Sequence, residues 1–115
     1  MTWEEVCRIA LGLPGVEMGS YHGYPALRVA GKFLVRLSDD STSIEIKGLA
    51  FDEREAMLLA APDLYYVPSG FGGKGVFARL SSLDTAKTRE LLDRRWRANA
   101  PKRLLTTTRQ ETRRV

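Results

Sequence analysis

Stretches with a helical hydrophobic period alternate along the chain with stretches of strand period, and that alternation lays out the fold. Trp3, Val6, Cys7 and Ala10 recur at helical spacing, and Thr2 followed by Glu5 has the form of a capping box. Residues 2–11 therefore predict a first helix, ended by Leu13-Pro14-Gly15. Tyr24-Pro25 biases the chain towards extended structure, and residues 26–30 and 33–37 predict two strands joined around Gly31. A two-residue turn would set Arg36 on the same face as Leu27 and Val29. A three-residue loop, Ala30-Gly31-Lys32, instead pairs Val29 with Phe33 and collects Leu27, Val29, Phe33, Val35 and Leu37 on one apolar face. The longer loop is expected, with Gly31 or Lys32 left-handed. The other face then carries Arg28, Leu34 and Arg36, and a third strand over residues 43–49 turns Ile44 and Ile46 inward and Glu45 and Lys47 outward.

Asp52 with Glu55 resembles another capping box, so residues 53–60 predict a second helix stopped by Pro62. Two further strands follow over residues 64–67 and 76–80, with a turn at 69–75 between them. Asp84 caps a last helix running to about residue 99, with Leu91, Leu92 and Trp96 facing the core. The expected order is α-β-β-β-α-β-β-α, an α+β domain without internal repeats.

The length of 115 residues, 43% of them hydrophobic, suits one domain with one core. No apolar run approaches the roughly 18 residues of a membrane span, and the capped first helix does not read as a secretion signal. A cytoplasmic location is expected, and the single Cys7 excludes a disulfide framework within the chain. The net charge of +4 changes the picture only once it is located. Residues 1–101 hold 13 basic and 13 acidic side chains; residues 102–115 hold five basic residues against Glu111 alone. A neutral body over 1–101 and a basic, flexible tail over 102–115 are expected.

Candidate chemistry is sparse. Gly70-Phe71-Gly72-Gly73-Lys74-Gly75 matches the glycine pattern of a phosphate cradle, but a strand follows it where a helix N-terminus would be needed, so it reads as a hairpin tip. His22 and Cys7 are single residues of their kinds, which leaves no nitrogen and sulfur set for zinc or iron. No metal or cofactor is expected. Asp39-Asp40 reads as a solvated turn, Cys7 as a buried inert thiol, and His22 as a structural hydrogen-bonding residue of the turn between Tyr21 and Pro25. Tyr21, Tyr24, Tyr65, Tyr66 and Phe71 fit base-stacking platforms or core and rim packing equally. Arg28, Lys32, Arg36, Lys47, Lys74 and Arg79 fall on the outer sheet face or on hairpin tips, where they would meet phosphates or simply water. Arg94, Arg95 and Arg97 read as the solvent side of the last helix.

Several landmarks in order carry a family resemblance: LPGVE from Leu13 to Glu17, the Tyr-x-Gly-x-Pro-Ala segment from Tyr21 to Ala26, Gly31-Lys32-Phe33, Glu53-Arg54-Glu55, Tyr65 to Pro68, and Trp96 with Ala100-Pro101-Lys102. Over about residues 2–102 the chain resembles the MmcQ/YjbR family, described as DNA-binding. The resemblance implies helices packed on one face of an antiparallel sheet, in the CyaY-like (frataxin-like) arrangement also called a double wing. The chain departs from the family in having Ser69 after Pro68, where relatives carry a histidine, and in its glycine-rich tip. Only Glu4 and Glu5 stand where frataxin-like iron handling would need an acidic ridge.

The expectation is a non-enzymatic DNA-binding domain, with Arg28, Lys32, Arg36, Lys47, Lys74 and Arg79 as phosphate contacts and the tail adding nonspecific affinity. The alternative is a protein-interaction module using the exposed sheet or its edge. An enzyme would need a catalytic constellation that the sequence does not display.

Overall fold

The computed structural model describes residues 1–105. Helix α1 spans Trp3–Ala10, and its capping box is formed: Thr2 Oγ1 accepts from the Glu5 N–H at 3.1 Å while Glu5 Oε1 accepts from the Thr2 N–H at 3.0 Å. Four strands follow, β1 over Val16–Tyr21, β2 over Tyr24–Val29, β3 over Lys32–Leu37 and β4 over Ser43–Ile46. Helix α2 spans Phe51–Ala60, β5 Tyr65–Tyr66, β6 Val76–Arg79, and α3 Thr85–Asn99 after a single 3₁₀ turn at Leu80–Ser82. The architecture is α+β, with one open sheet of six antiparallel strands in the order β1-β2-β3-β4-β6-β5.

The order differs from the expected one by β1. This strand, VEMGSY, buries only Val16 and forms a sheet edge, so it shows no alternation for the sequence to reveal. Two-residue turns with both residues at positive φ join β1 to β2 through His22 and Gly23, and β2 to β3 through Ala30 and Gly31. That is the type I′ backbone whose twist matches paired strands.

The expected three-residue loop is therefore corrected. Val29 pairs with Lys32 and Arg28 with Phe33, but Leu27 pairs with Val35, because a bulge inserts Leu34. The bulge restores the expected register beyond it and exchanges two side chains. Leu34 enters the core at 1% exposure, while Phe33 turns to the outer face against Tyr21.

The inner face presents Leu27, Val29, Val35, Ile44, Ile46, Val76 and Ala78 to Val6, Cys7 and Ala10 of α1 and to Leu91, Leu92 and Trp96 of α3. Trp96 Nε1 donates to the Pro14 carbonyl at 2.7 Å, tying α3 to the turn that ends α1. Asp84 caps α3 by accepting from the Lys87 N–H. At α2 the expected cap is absent: the helix starts at Phe51, its N-cap Ala50 makes no side-chain hydrogen bond, and none of its residues is buried.

Arg95 is a further correction, since it is 8% exposed and packs against Gly48 instead of facing solvent. Residues 102–105 form a helical turn with Leu104 and Leu105 against the core, so the first part of the expected tail belongs to the packed body. Residues 106–115 of that tail lie outside the described residues. No described helix is long and apolar enough to cross a membrane.

Candidate functional site

Side-chain alternation puts Tyr24, Ala26 and Arg28 of β2, Phe33 and Arg36 of β3, Ser43 and Glu45 of β4, Tyr66 of β5, and Phe77 and Arg79 of β6 on the face away from α1 and α3. Tyr21 of β1 and Lys47 just past β4 join them, with the Lys47 ammonium 3.8 Å from the Tyr21 ring centroid. An outer sheet face is ordinarily solvated, but the centre of this one is not. Arg36 is 9% and Glu45 1% exposed.

The cause is the segment between β5 and β6, which returns over the face and lays Phe71 against Phe77 with ring centroids 5.3 Å apart. Its last residue, Gly75, comes so close to β4 that a Cβ there would stand 2.5 Å from the Ile46 carbonyl oxygen and 3.4 Å from Glu45 Oε2. Only glycine permits that approach.

Beneath this cover Arg36 Nε donates to Glu45 Oε1 at 2.5 Å, and Nη1 donates to Asp39 at 2.9 Å and to the Leu37 carbonyl at 3.1 Å. The guanidinium also lies 5.2 Å from the Tyr24 ring centroid, 5.8 Å from that of Phe77 and 5.9 Å from that of Tyr21. Burial opposes its charge, but hydrogen bonds to Asp39 and Glu45 outweigh that and hold its pKa above the ordinary value. The hydrogen bond from Arg36 in turn holds the Asp39 carboxyl below the usual range. Asp40 is lowered by Ser38 and Thr42, which it accepts from at the β3–β4 turn. The other oxygen of Glu45, Oε2, is buried and has no hydrogen-bond partner.

Two clefts open beside Phe71, both reaching Arg36. One, of about 480 Å³, is lined by Tyr21, Glu45, Lys47, Phe71, Lys74 and Gly75 among others. The other, of about 360 Å³, lies over Tyr66, Pro68 and Phe77 and is bounded by Asp39 and Asp40. Both fall within the size range of small-ligand sites.

Of the six basic residues singled out from the sequence, Arg28, Arg36, Lys47 and Arg79 share the outer face. Lys32 stands exposed at the β2–β3 tip and Lys74 exposed on the covering segment. Arg36 is not the open phosphate contact expected of it, because two carboxylates already answer its charge. Arg28 donates to the carbonyls of Ser20 and Gly31, Arg79 stacks 4.2 Å from the Tyr66 ring centroid, and Lys47 donates to the Tyr21 hydroxyl. Among the aromatic candidates, Tyr21, Tyr24, Tyr66 and Phe71 meet on this face, while Tyr65 points into the core. His22 is exposed at its turn and makes no side-chain hydrogen bond among the described residues; its ring meets the edge of Tyr21 at 4.3 Å. That corrects the structural role expected for it.

No family model, curated protein or solved structure matches the chain. The site therefore rests on its own geometry.

Sequence reasoning missed Glu45 and Phe77 as site residues. Parity already turns Glu45 outward and, along β6, could have done the same for Phe77, but nothing local reports that a segment about 25 residues away in the chain covers Glu45. Among the described residues, no group of three or more His, Cys, Asp or Glu side chains is arranged to hold a metal ion. Cys7 is buried in α1 far from this face in the fold, and burial pushes its thiol pKa up to about 11.

Proposed function

We propose that the outer sheet face and its tips bind nucleic acid through the phosphate backbone, as a non-enzymatic, cytoplasmic DNA-binding domain. One observation carries the reading. Arg28, Lys32, Lys47, Lys74 and Arg79 have no carboxylate at ion-pair distance among the described residues, whereas three of the five basic residues on α3, Lys87, Arg94 and Arg97, are paired with Glu90 or Asp93. Of the acidic groups on or beside the outer face, Glu45 and Asp39 are engaged by Arg36 and Asp40 by Ser38 and Thr42, while Glu17 stands exposed at the β1 edge across from Arg28. At the strand spacing of about 4.8 Å, the patch from Arg28 on β2 to Arg79 on β6 extends roughly 20 Å along its diagonal, long enough to meet several phosphates. The MmcQ/YjbR resemblance points the same way, and we take the sheet with its two hairpin tips as a CyaY-like double wing.

Five phosphate contacts would give a salt slope of about −4.5, or a roughly 500-fold loss of affinity between about 50 and 200 mM salt. The test is fluorescence anisotropy of labelled duplex over a salt series with the full chain and with Lys32→Gln/Lys74→Gln. The double variant is expected to flatten the slope by about 2. Salt-independent binding, or an unchanged slope in the variant, overturns the proposal.

A second reading, a protein-interaction module, is favoured by β1, a six-residue edge strand with Met18 half exposed and one side unpaired within the sheet. A stoichiometric protein partner retained after nuclease treatment and lost on Ser20→Pro, which removes an N–H that points away from β2, would support it.

A further inference from the structure

Phosphate contacts leave the centre of the outer face unexplained. Glu45 Oε2 is a buried acceptor without a donor, on a side chain 2% exposed, and it lines the cleft of about 480 Å³. Native interiors rarely leave such an oxygen unsatisfied. The groups around it are of three kinds: the rings of Tyr21 and Phe71, the ammonium groups of Lys47 and Lys74, and the guanidinium of Arg36 already bonded to the other oxygen of the same carboxylate.

A ligand matching all of them needs a flat ring, an N–H on its edge and an anionic group beside the ring. That combination is a nucleotide. Resting on the phosphate-binding reading, we propose that the cleft receives one unpaired nucleotide whose base carries an exocyclic amino group, cytosine being the pyrimidine example. The amino N–H is donated to Glu45 Oε2, the base lies against Phe71 and Tyr21, and the phosphate faces Lys47 and Lys74.

Access requires the covering segment to move. The covering segment is built for that: its backbone hydrogen bonds outside regular structure are one from the Phe71 N–H to the Pro68 carbonyl and one from Arg54 to the Gly73 carbonyl, and glycine occupies positions 70, 72, 73 and 75. The Phe71 ring rests on Gly73, where a Cβ would stand 2.5 Å from it. Displacing the segment, whose Gly75 lies against Oε2, opens that oxygen to the cleft.

Carboxylate and amide differ here in a way that can be read out. In Glu45→Gln the Arg36 bond keeps the amide oxygen on the Arg36 side, so an NH2 donor faces the cleft where the wild type offers an acceptor. The wild type then prefers cytosine, whose edge carries an amino group, and the variant prefers thymine, which has a carbonyl oxygen in its place.

The experiment is anisotropy of labelled (dC)12 and (dT)12 with the full-length wild type, Glu45→Gln and Phe71→Ala, with free dCMP as competitor and circular dichroism to confirm folding. The wild type should bind (dC)12 about tenfold more tightly than (dT)12, and Glu45→Gln should reverse the order. Phe71→Ala uncovers Phe77 on the outer face but leaves intact the inner-face core, to which Phe71 does not belong; it should weaken both by about tenfold with the salt slope kept. Competition by dCMP identifies a free nucleotide as a sufficient ligand, and cytosine preference without such competition identifies the strand; either supports the proposal. Equal wild-type affinity for the two strands, with a normal salt slope, overturns the nucleotide cleft and leaves the phosphate reading standing. Loss of all binding overturns both.

Discussion

Replacing Arg36 by methionine isolates the buried ion pair from the rest of the outer face. The side chain is 10% exposed and its partner Glu45 2% exposed, with Nε and Oε1 at 2.5 Å. Methionine fills a similar volume but removes the only side-chain hydrogen bond that Glu45 makes among the described residues, and it leaves a carboxylate under the covering segment with neither oxygen satisfied. An uncompensated buried charge costs about 3–5 kcal/mol. Asp39, 68% exposed on its side chain, adds little when it loses the same partner. For a domain of this size each kcal/mol lowers the melting temperature by about 3–5 °C, so Arg36→Met is expected to melt roughly 10–20 °C below wild type.

The converse change is asymmetric. In Glu45→Gln, Arg36 keeps Asp39, the Leu37 carbonyl, three aromatic faces and an amide oxygen, and the expected loss is about 1–2 kcal/mol. Arg36→Met/Glu45→Leu removes both charges and should recover more than half of the loss. Urea unfolding followed by tryptophan fluorescence measures all three. A loss below about 1 kcal/mol in Arg36→Met, or an Arg36→Met/Glu45→Leu variant as damaged as Arg36→Met alone, would refute the buried-pair argument.

Two more outcomes follow from groups away from that face. Among the described residues Arg95 is buried with no hydrogen bond at its Nε and no carboxylate at ion-pair distance, and burial lowers its pKa against the opposing field of Glu53, so its charge is held at a cost; Arg95→Met should leave stability unchanged or raise it by about 1 kcal/mol in the same urea assay, and a clear loss would show that its charge is compensated. The Cys7 thiol, raised to about 11 by burial, contributes stability that is complete below about pH 9 and is lost as pH rises towards 11, because the unfolded thiol ionises first; the wild type should lose more stability than Cys7→Ala between pH 8 and 10.5, and iodoacetamide should label native Cys7 far more slowly than the unfolded chain.

Much of the fold can be read from local rules because its decisive signals are local. The capping box at Thr2 and Glu5, the cap at Asp84, and the stripe of Leu91, Leu92 and Trp96 each lie within one or two helical turns, and each forms as expected. What escaped lies where a side chain's surroundings come from distant sequence. Strand β1 pairs along its length with β2 but packs almost nothing, so pairing without burial leaves no pattern. The hairpin register failed for a more specific reason: a tight Ala30-Gly31 turn and a bulge at Leu34 together imitate a longer loop, and alternation alone cannot separate the two. Asp52 looked like a cap because its spacing to Glu55 was right, yet the helix begins one residue before it.

The candidate site divides along the same line. Parity along the strands placed Arg28, Arg36, Lys47 and Arg79 on one face, and parity depends only on neighbours. Whether each is available depends on what covers it, and the cover comes from Phe71 and Gly75. At the centre that cover makes Arg36 and Glu45 a mutually neutralised pair, so Arg36 adds structure to the face while contributing little net field beyond it. At the rim Lys32 and Lys74 remain exposed, and their charge acts outward. On the proposed reading, a face with an internally paired, partly unsatisfied centre and a cationic rim would discriminate in two stages: the rim would draw a polyanion close, and the centre would accept a group that brings a donor to Glu45 Oε2. A uniformly basic face would do the first alone.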